Sequence, residues 1–182
     1  MEIGNSSVLN AKSVDCTTGG GVIVADCPNL ISATDNRQVA LPRTIVLCMR
    51  FLAQKNGATP VRIGLTGADT RIYSMDNYNL KWFFLNNPYD ISALSTADNT
   101  VVTMAFVASK GDMRVYVNGG DRQLSTASFV WCIGGGISFL CDAAFDKNVV
   151  IGEFFNAMMF NCKLTTEELD EIVAVNQMRY SK

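Results

Sequence analysis

Apolar residues along this chain come in short runs, and turn-forming residues separate them at close intervals. Thr44 to Leu52 (TIVLCMRFL) is rich in β-branched and large apolar residues and follows Pro42, a composition that predicts a strand. Val61 to Leu65 and Arg71 to Met75 read as short strands around Thr66-Gly67-Ala68-Asp69. Leu80 to Leu85 is a dense aromatic run that stops at Asn86-Asn87-Pro88. Thr100 to Ala108 and Met113 to Asn118 flank Ser109-Lys110-Gly111-Asp112, the composition of a hairpin turn. In the second of these, Met113, Val115 and Val117 alternate with Arg114 and Tyr116, as a half-buried antiparallel strand requires. Asn118-Gly119 then supplies the positive φ angles of a type I′ turn.

One segment departs from the period of two. In Leu164-Thr165-Thr166-Glu167-Glu168-Leu169, Thr165 and Glu168 have the spacing of a capping box, and Leu164 and Leu169 that of a hydrophobic staple. Leu169, Ile172, Val173 and Tyr180 then fall on one helical face, and Glu167, Asp170 and Glu171 load the first turns with negative charge, which suits the helix dipole. The helix is expected to start at Thr166 and to pack on the strands. The first forty or so residues read mostly as loop, with Val22-Ile23-Val24 as an edge strand. Many short strands with one helix predict an all-β, antiparallel β-sandwich or barrel with a short C-terminal α-helix. We expect a single domain over residues 1–182, with 1–43 the least defined part.

Composition narrows the function classes. Hydrophobic residues make up 48% and charged residues 18%, which is globular rather than disordered. The net charge is −2 and no basic run stands out, so nucleic-acid binding has no electrostatic footprint. The longest apolar stretches fall short of the ~20 residues a membrane helix needs. Met1-Glu2-Ile3-Gly4-Asn5 has neither a basic nor an apolar leader region, so no signal peptide is visible. Histidine is absent, which removes the commonest general base and the commonest transition-metal ligand. The six cysteines, Cys16, Cys27, Cys48, Cys132, Cys141 and Cys162, contain no C-x-x-C. Buried reduced thiols are the favoured reading, and a Cys16–Cys27 bridge is the alternative.

Two segments carry a family resemblance. Met113-Arg114-Val115-Tyr116-Val117-Asn118-Gly119 resembles a hairpin strand of the concanavalin A-like lectin/glucanase superfamily, in its laminin-G-like branch. Gly152 to Glu168 (GEFFNAMMFNCKLTTEE) is similar to the closing pattern of that family: a Gly-led strand, the pair Phe160-Asn161, then Leu164-Thr165 and Glu168. The resemblance covers roughly residues 44 to 180 and implies a jelly roll. It also implies hosts as different as lectins, glycan hydrolases, adhesion modules and virion proteins, so function has to come from a site.

The glucanases of that family use paired carboxylates in a pattern like Glu-x-Asp-x-x-Glu. Here the glutamates are Glu2, Glu153, Glu167, Glu168 and Glu171, and Glu153 has no carboxylate two residues away. The expectation is therefore that the chain is not an enzyme; a glycan hydrolase lacking the usual carboxylates is the remote alternative. Asp69, Asp76-Asn77 and Asp142 with Asp146 are the calcium candidates, but they complete no loop motif, and no cofactor is expected. Tyr73, Asp76, Asn77, Tyr78, Trp82, Asn86 and Tyr89 cluster aromatic and amide residues as a sugar site would. Arg62, Arg71, Lys81, Arg114 and Arg122 read as ordinary exposed strand positions. The leading expectation is a recognition or structural module at a virion or phage surface, as a decoration, fibre or tail-associated protein. Its partners would be glycans or other surface proteins, with homo-oligomerisation open. A secreted lectin-like carbohydrate-binding domain is the alternative.

Overall fold

The computed structural model describes residues 2–3, 8–9, 13–16, 22–24, 43–53, 61–63, 70–75, 79–84, 87–90, 99–109, 112–125, 137–141, 151–160 and 162–181. The strands are β1 (Glu2–Ile3), β2 (Val8–Leu9), β3 (Val14–Cys16), β4 (Val22–Val24), β5 (Arg43–Ala53), β6 (Val61–Ile63) and β7 (Thr70–Met75). Then come β8 (Asn79–Phe84), β9 (Asn87–Asp90), β10 (Val101–Ser109), β11 (Asp112–Val117), β12 (Gly120–Ser125), β13 (Ile137–Phe139) and β14 (Ile151–Phe160). The helix α1 (Thr166–Tyr180) closes the series.

The strands form two sheets. Sheet I has the order β1-β4-β13-β6-β7-β8-β9 and sheet II the order β12-β11-β10-β5-β14-β3-β2. Every pairing is antiparallel. The sheets meet where Phe139 of β13 stacks on Phe154 of β14, ring centroids 4.5 Å apart. Leu47, Met49, Phe51, Met104 and Phe106 of sheet II are fully buried. Burying each such side chain contributes about 1.5–3 kcal/mol. The all-β antiparallel sandwich with one C-terminal helix is what the pattern predicted.

The other face of sheet II is covered by α1. Val46, Ala105, Val107 and Tyr116 pack with Leu164 and Leu169, and Met158, Phe160, Ile172 and Val173 border that cluster. Strand β5 is therefore buried on both faces, which is why it reads as a continuous apolar run rather than an alternation. The same cover corrects the half-buried reading of β11, where Val115, Tyr116 and Val117 are all buried.

Other expectations shift too. Val22–Val24 is not an edge strand, because β4 lies between β1 and β13. The first forty residues contribute short strands to both sheets. Asn87-Pro88, read as a terminator, opens β9 at the edge of sheet I, where a missing N–H breaks no interior ladder. Cys16 is buried; Cys27, its partner in the alternative reading, lies outside the described residues. Cys48 and Cys141 are likewise buried, whereas Cys162 is exposed.

Candidate functional site

The motif residues that stand out in the sequence turn out to be fasteners. Tyr116 of β11 donates its hydroxyl hydrogen to Asp170 of α1. Asn118, at φ 45°, continues the ladder beyond its strand: its Oδ1 accepts from the Thr103 N–H at 2.8 Å, and its Nδ2 donates to the Val101 carbonyl at 3.3 Å. Thr165 and Glu168 form both arms of the capping box, at 3.2 and 2.8 Å. Thr44, fully buried, donates to the Cys162 carbonyl and accepts from the Leu164 N–H, each at 3.0 Å. These contacts hold the chain as it turns from β14 into α1.

Two polar groups under the helix have no counterpart in the sequence reading. Arg50 donates to Glu153 at 2.8 Å and to the Tyr180 carbonyl at 2.9 Å, which ties the last turn of α1 to sheet II. Its guanidinium lies 5.5 Å from the centre of the Phe155 ring, and Ser13 donates to the second oxygen of Glu153 at 3.2 Å. The bulge between Phe154 and Asn156 brings Phe155 to the helix side, where it stacks on Tyr180. Beside this, buried Asn176 donates to Thr103 Oγ1 and accepts from Asn156, both at 3.1 Å. Thr103 donates in turn to Cys48 Sγ. Burial pushes the Cys48 thiol up to about 11, which makes it inert at neutral pH. Glu153 is thus committed to an arginine, and among the described residues no three His, Cys, Asp or Glu side chains could hold a metal ion.

Sheet I holds three of the positions singled out for sugar binding. Tyr73 is on β7, Trp82 on β8 and Tyr89 on β9. Asp76, Asn77, Tyr78 and Asn86 lie outside the described residues, as do the calcium candidates Asp69, Asp142 and Asp146. Register divides the three aromatics. Val22, Phe139, Val61, Ile72, Trp82 and Tyr89 form one cross-strand row. In it Val22, Phe139 and Val61 are buried, and Phe139 meets the other sheet. The rows on either side belong to the opposite face. One runs Ser138, itself fully buried, then Arg62, Arg71, Phe83 and Pro88, and the other Tyr73, Lys81 and Asp90. Hence Tyr73 shares a face with Arg62, Arg71 and Lys81, while Trp82 and Tyr89 share the row of the core residues. The basic positions passed over as ordinary are the ones that register gathers together. Only pairing between strands distant in sequence reveals this.

No protein-family model and no curated protein sequence matches the chain. Solved structures do. A Trypanosoma rangeli sialidase in complex with sialic acid matches with a TM-score of 0.70 at 13% identity, over 97% of this chain and 30% of the sialidase. The botulinum neurotoxin serotype D ligand-binding domain in complex with N-acetylneuraminic acid matches with a TM-score of 0.69 at 17% identity, over 98% of this chain and 46% of that one. The chain has the β-sandwich fold found in these proteins. It spans less than half the length of either.

The sialidase matches correct the expectation that the chain is not an enzyme. That expectation rested on missing carboxylate pairs and missing histidine. Sialidases are glycosidases that use a tyrosine nucleophile instead, so a search for paired carboxylates does not test their chemistry. The neurotoxin domain, a binding domain by its description, shares the same scaffold.

Proposed function

We propose that this chain is a glycan-recognition module whose ligand is an acidic sugar of the sialic acid class. The sugar docks on the face of sheet I that carries Arg62, Arg71, Tyr73 and Lys81. The observation that carries this reading is the register of Arg62 directly opposite Arg71 on neighbouring strands. Like charges directly opposite each other destabilise a sheet, and a carboxylate placed between them reverses the sign of that interaction. Two guanidinium groups offer bidentate, charge-assisted donors to such a carboxylate. In register, Lys81 sits between Tyr73 and Asp90, next to a candidate stacking residue for the sugar ring. Support also comes from the sialidase and neurotoxin structures, both solved with sialic acid sugars.

The test is a titration of sialyllactose against lactose, followed by NMR or calorimetry. Sialyllactose is expected to bind and lactose not. Arg71→Ala and Arg62→Ala should each weaken binding about 10- to 100-fold, the effect of losing a charge-assisted hydrogen bond. Equal binding of both sugars, or binding indifferent to both substitutions, overturns the proposal. A virion-surface protein and a secreted lectin-like protein both need such a glycan site. Immunolabelling of intact particles against culture supernatant distinguishes these settings.

A further inference from the structure

Tyr180, at the end of α1, meets sheet II through three kinds of contact at once. Its ring stacks on Phe155, with centroids 4.5 Å apart and planes 14° from parallel. Its hydroxyl accepts from Asn156 Nδ2 at 3.2 Å, and its carbonyl accepts from Arg50 Nη2 at 2.9 Å. Arg50 also lies over the Phe155 ring. A guanidinium, an aromatic face and an amide that converge on one place are the components of a small-molecule site.

That seat is incompletely matched. Among the described residues, the buried side-chain polar atoms without a hydrogen-bond partner are Arg50 Nε and Asn156 Oδ1. Both belong to residues that hold Tyr180. Nε and Nη2 form one edge of the guanidinium, which a carboxylate can grip with two parallel bonds. The Tyr180 carbonyl brings a single oxygen to Nη2, and Nε stays unpaired. Glu153 takes Nη1 instead, at 2.8 Å, and its other oxygen accepts from Ser13. Asn156 makes its bonds to Asn176 and Tyr180 through Nδ2, so its oxygen lacks a donor. A buried group left unpaired keeps its full desolvation cost. An occupant that pairs both atoms is therefore favoured over Tyr180.

The turn that carries Tyr180 is also the lightly held end of the helix. The buried apolar anchors Leu164 and Leu169 lie at the other end, while Val175 and Met178 are exposed. Beyond Asn176, Gln177 donates to the Val101 carbonyl at 2.9 Å, and Tyr180 supplies the contacts given above. A segment with few buried apolar contacts opens at lower free energy than the whole fold. A groove of about 380 Å³ between α1 and β14 leads to this place, lined by Asn156, Asn176 and Arg179 among others.

We infer that Tyr180 is a displaceable plug in a binding site on sheet II, and that the ligand of this site is a hydroxyaryl carboxylate. The ligand's ring replaces that of Tyr180 on Phe155, and its carboxylate spans Nε and Nη2 of Arg50. Its hydroxyl, free of the helix backbone, donates to Asn156 Oδ1. While the plug is seated, apparent affinity is reduced by the fraction of molecules in which the turn is open. The site uses neither the Arg62–Arg71 face nor a sugar ligand.

Calorimetry with 4-hydroxyphenylacetate tests it on the full chain and on Tyr180→Ala. The parent is expected to bind, with the Tyr180 NMR resonances shifting as it does. Tyr180→Ala should bind at least roughly 10-fold more tightly, since no plug competes. 4-Hydroxyphenylacetamide, which has the same shape without the charge, should bind at least roughly 10-fold more weakly than the acid to both proteins. Arg50→Lys keeps the charge and loses the fork, so the preference for acid over amide should fall. Arg62→Ala and Arg71→Ala should leave binding of the acid unchanged. A parent that binds nothing, or one that binds with Tyr180 unmoved, overturns the inference. So does a Tyr180→Ala protein that takes acid and amide alike, which would mark the space as a mere cavity.

Discussion

Gly152 sits where β14 passes close to β5: a Cβ there would lie 2.2 Å from the Arg50 carbonyl oxygen. Backbone, not a movable side chain, would have to give way. Gly152→Ala is therefore expected to destabilise the fold by about 1–3 kcal/mol or more, measurable as a lower urea midpoint with an unchanged slope. Cys48 makes a different kind of prediction. Its thiol is raised from 9.0 to about 11 by burial, so the folded state holds a proton that the unfolded chain gives up earlier. That contribution is complete below pH 9 and is lost as pH rises toward 11, by about 2–3 kcal/mol in all. Urea midpoints of the parent and Cys48→Ala, compared from pH 8 to 11, should converge. Lines that stay parallel would contradict the burial argument.

Among the elements, the helix is the one whose beginning is written locally. Thr165, Glu168, Leu164 and Leu169 all lie within six residues, and all behave as their spacing implies. Thr165→Ala should cost about 1 kcal/mol, visible as a lower thermal midpoint, and serine should restore most of it. Its seat is another matter. Asn176 is 2% exposed and bonds to Asn156 and Thr103; it sits on the same helical face as Leu169, Ile172 and Val173, where the pattern alone would call for an apolar residue. Asn176→Leu should be costly because it takes away the donor to Thr103 Oγ1 and one acceptor of Asn156 Nδ2 beneath the helix, a loss of about 1–3 kcal/mol. A neutral result by chemical denaturation would count against that network.

At the scale of the molecule, the two sheets have separate hydrogen-bond ladders but share one core. Phe139 and Phe154 cross between them. Phe154→Ala should cost about 3–5 kcal/mol, with tryptophan fluorescence and far-ultraviolet dichroism still tracing one coincident transition. Two separate transitions would mean that the sheets fold independently.

Local chemistry determined most of the strands, the hairpin turn at Asn118-Gly119 and the start of α1, because each depends on residues within a few positions of one another. It also determined the fold class, since short apolar runs and one capped helix leave few architectures. Which face of each strand is buried was decided only by the tertiary structure. Tyr116 looked like an outward residue until Asp170 and α1 were placed over it. Trp82 shares a cross-strand row with Val61 and Phe139, a placement that no local pattern shows. Arg62 and Arg71 looked unremarkable until strand pairing set them opposite each other. Alternation within a strand separates two faces, but only the neighbouring strands and the covering layer say what each face meets.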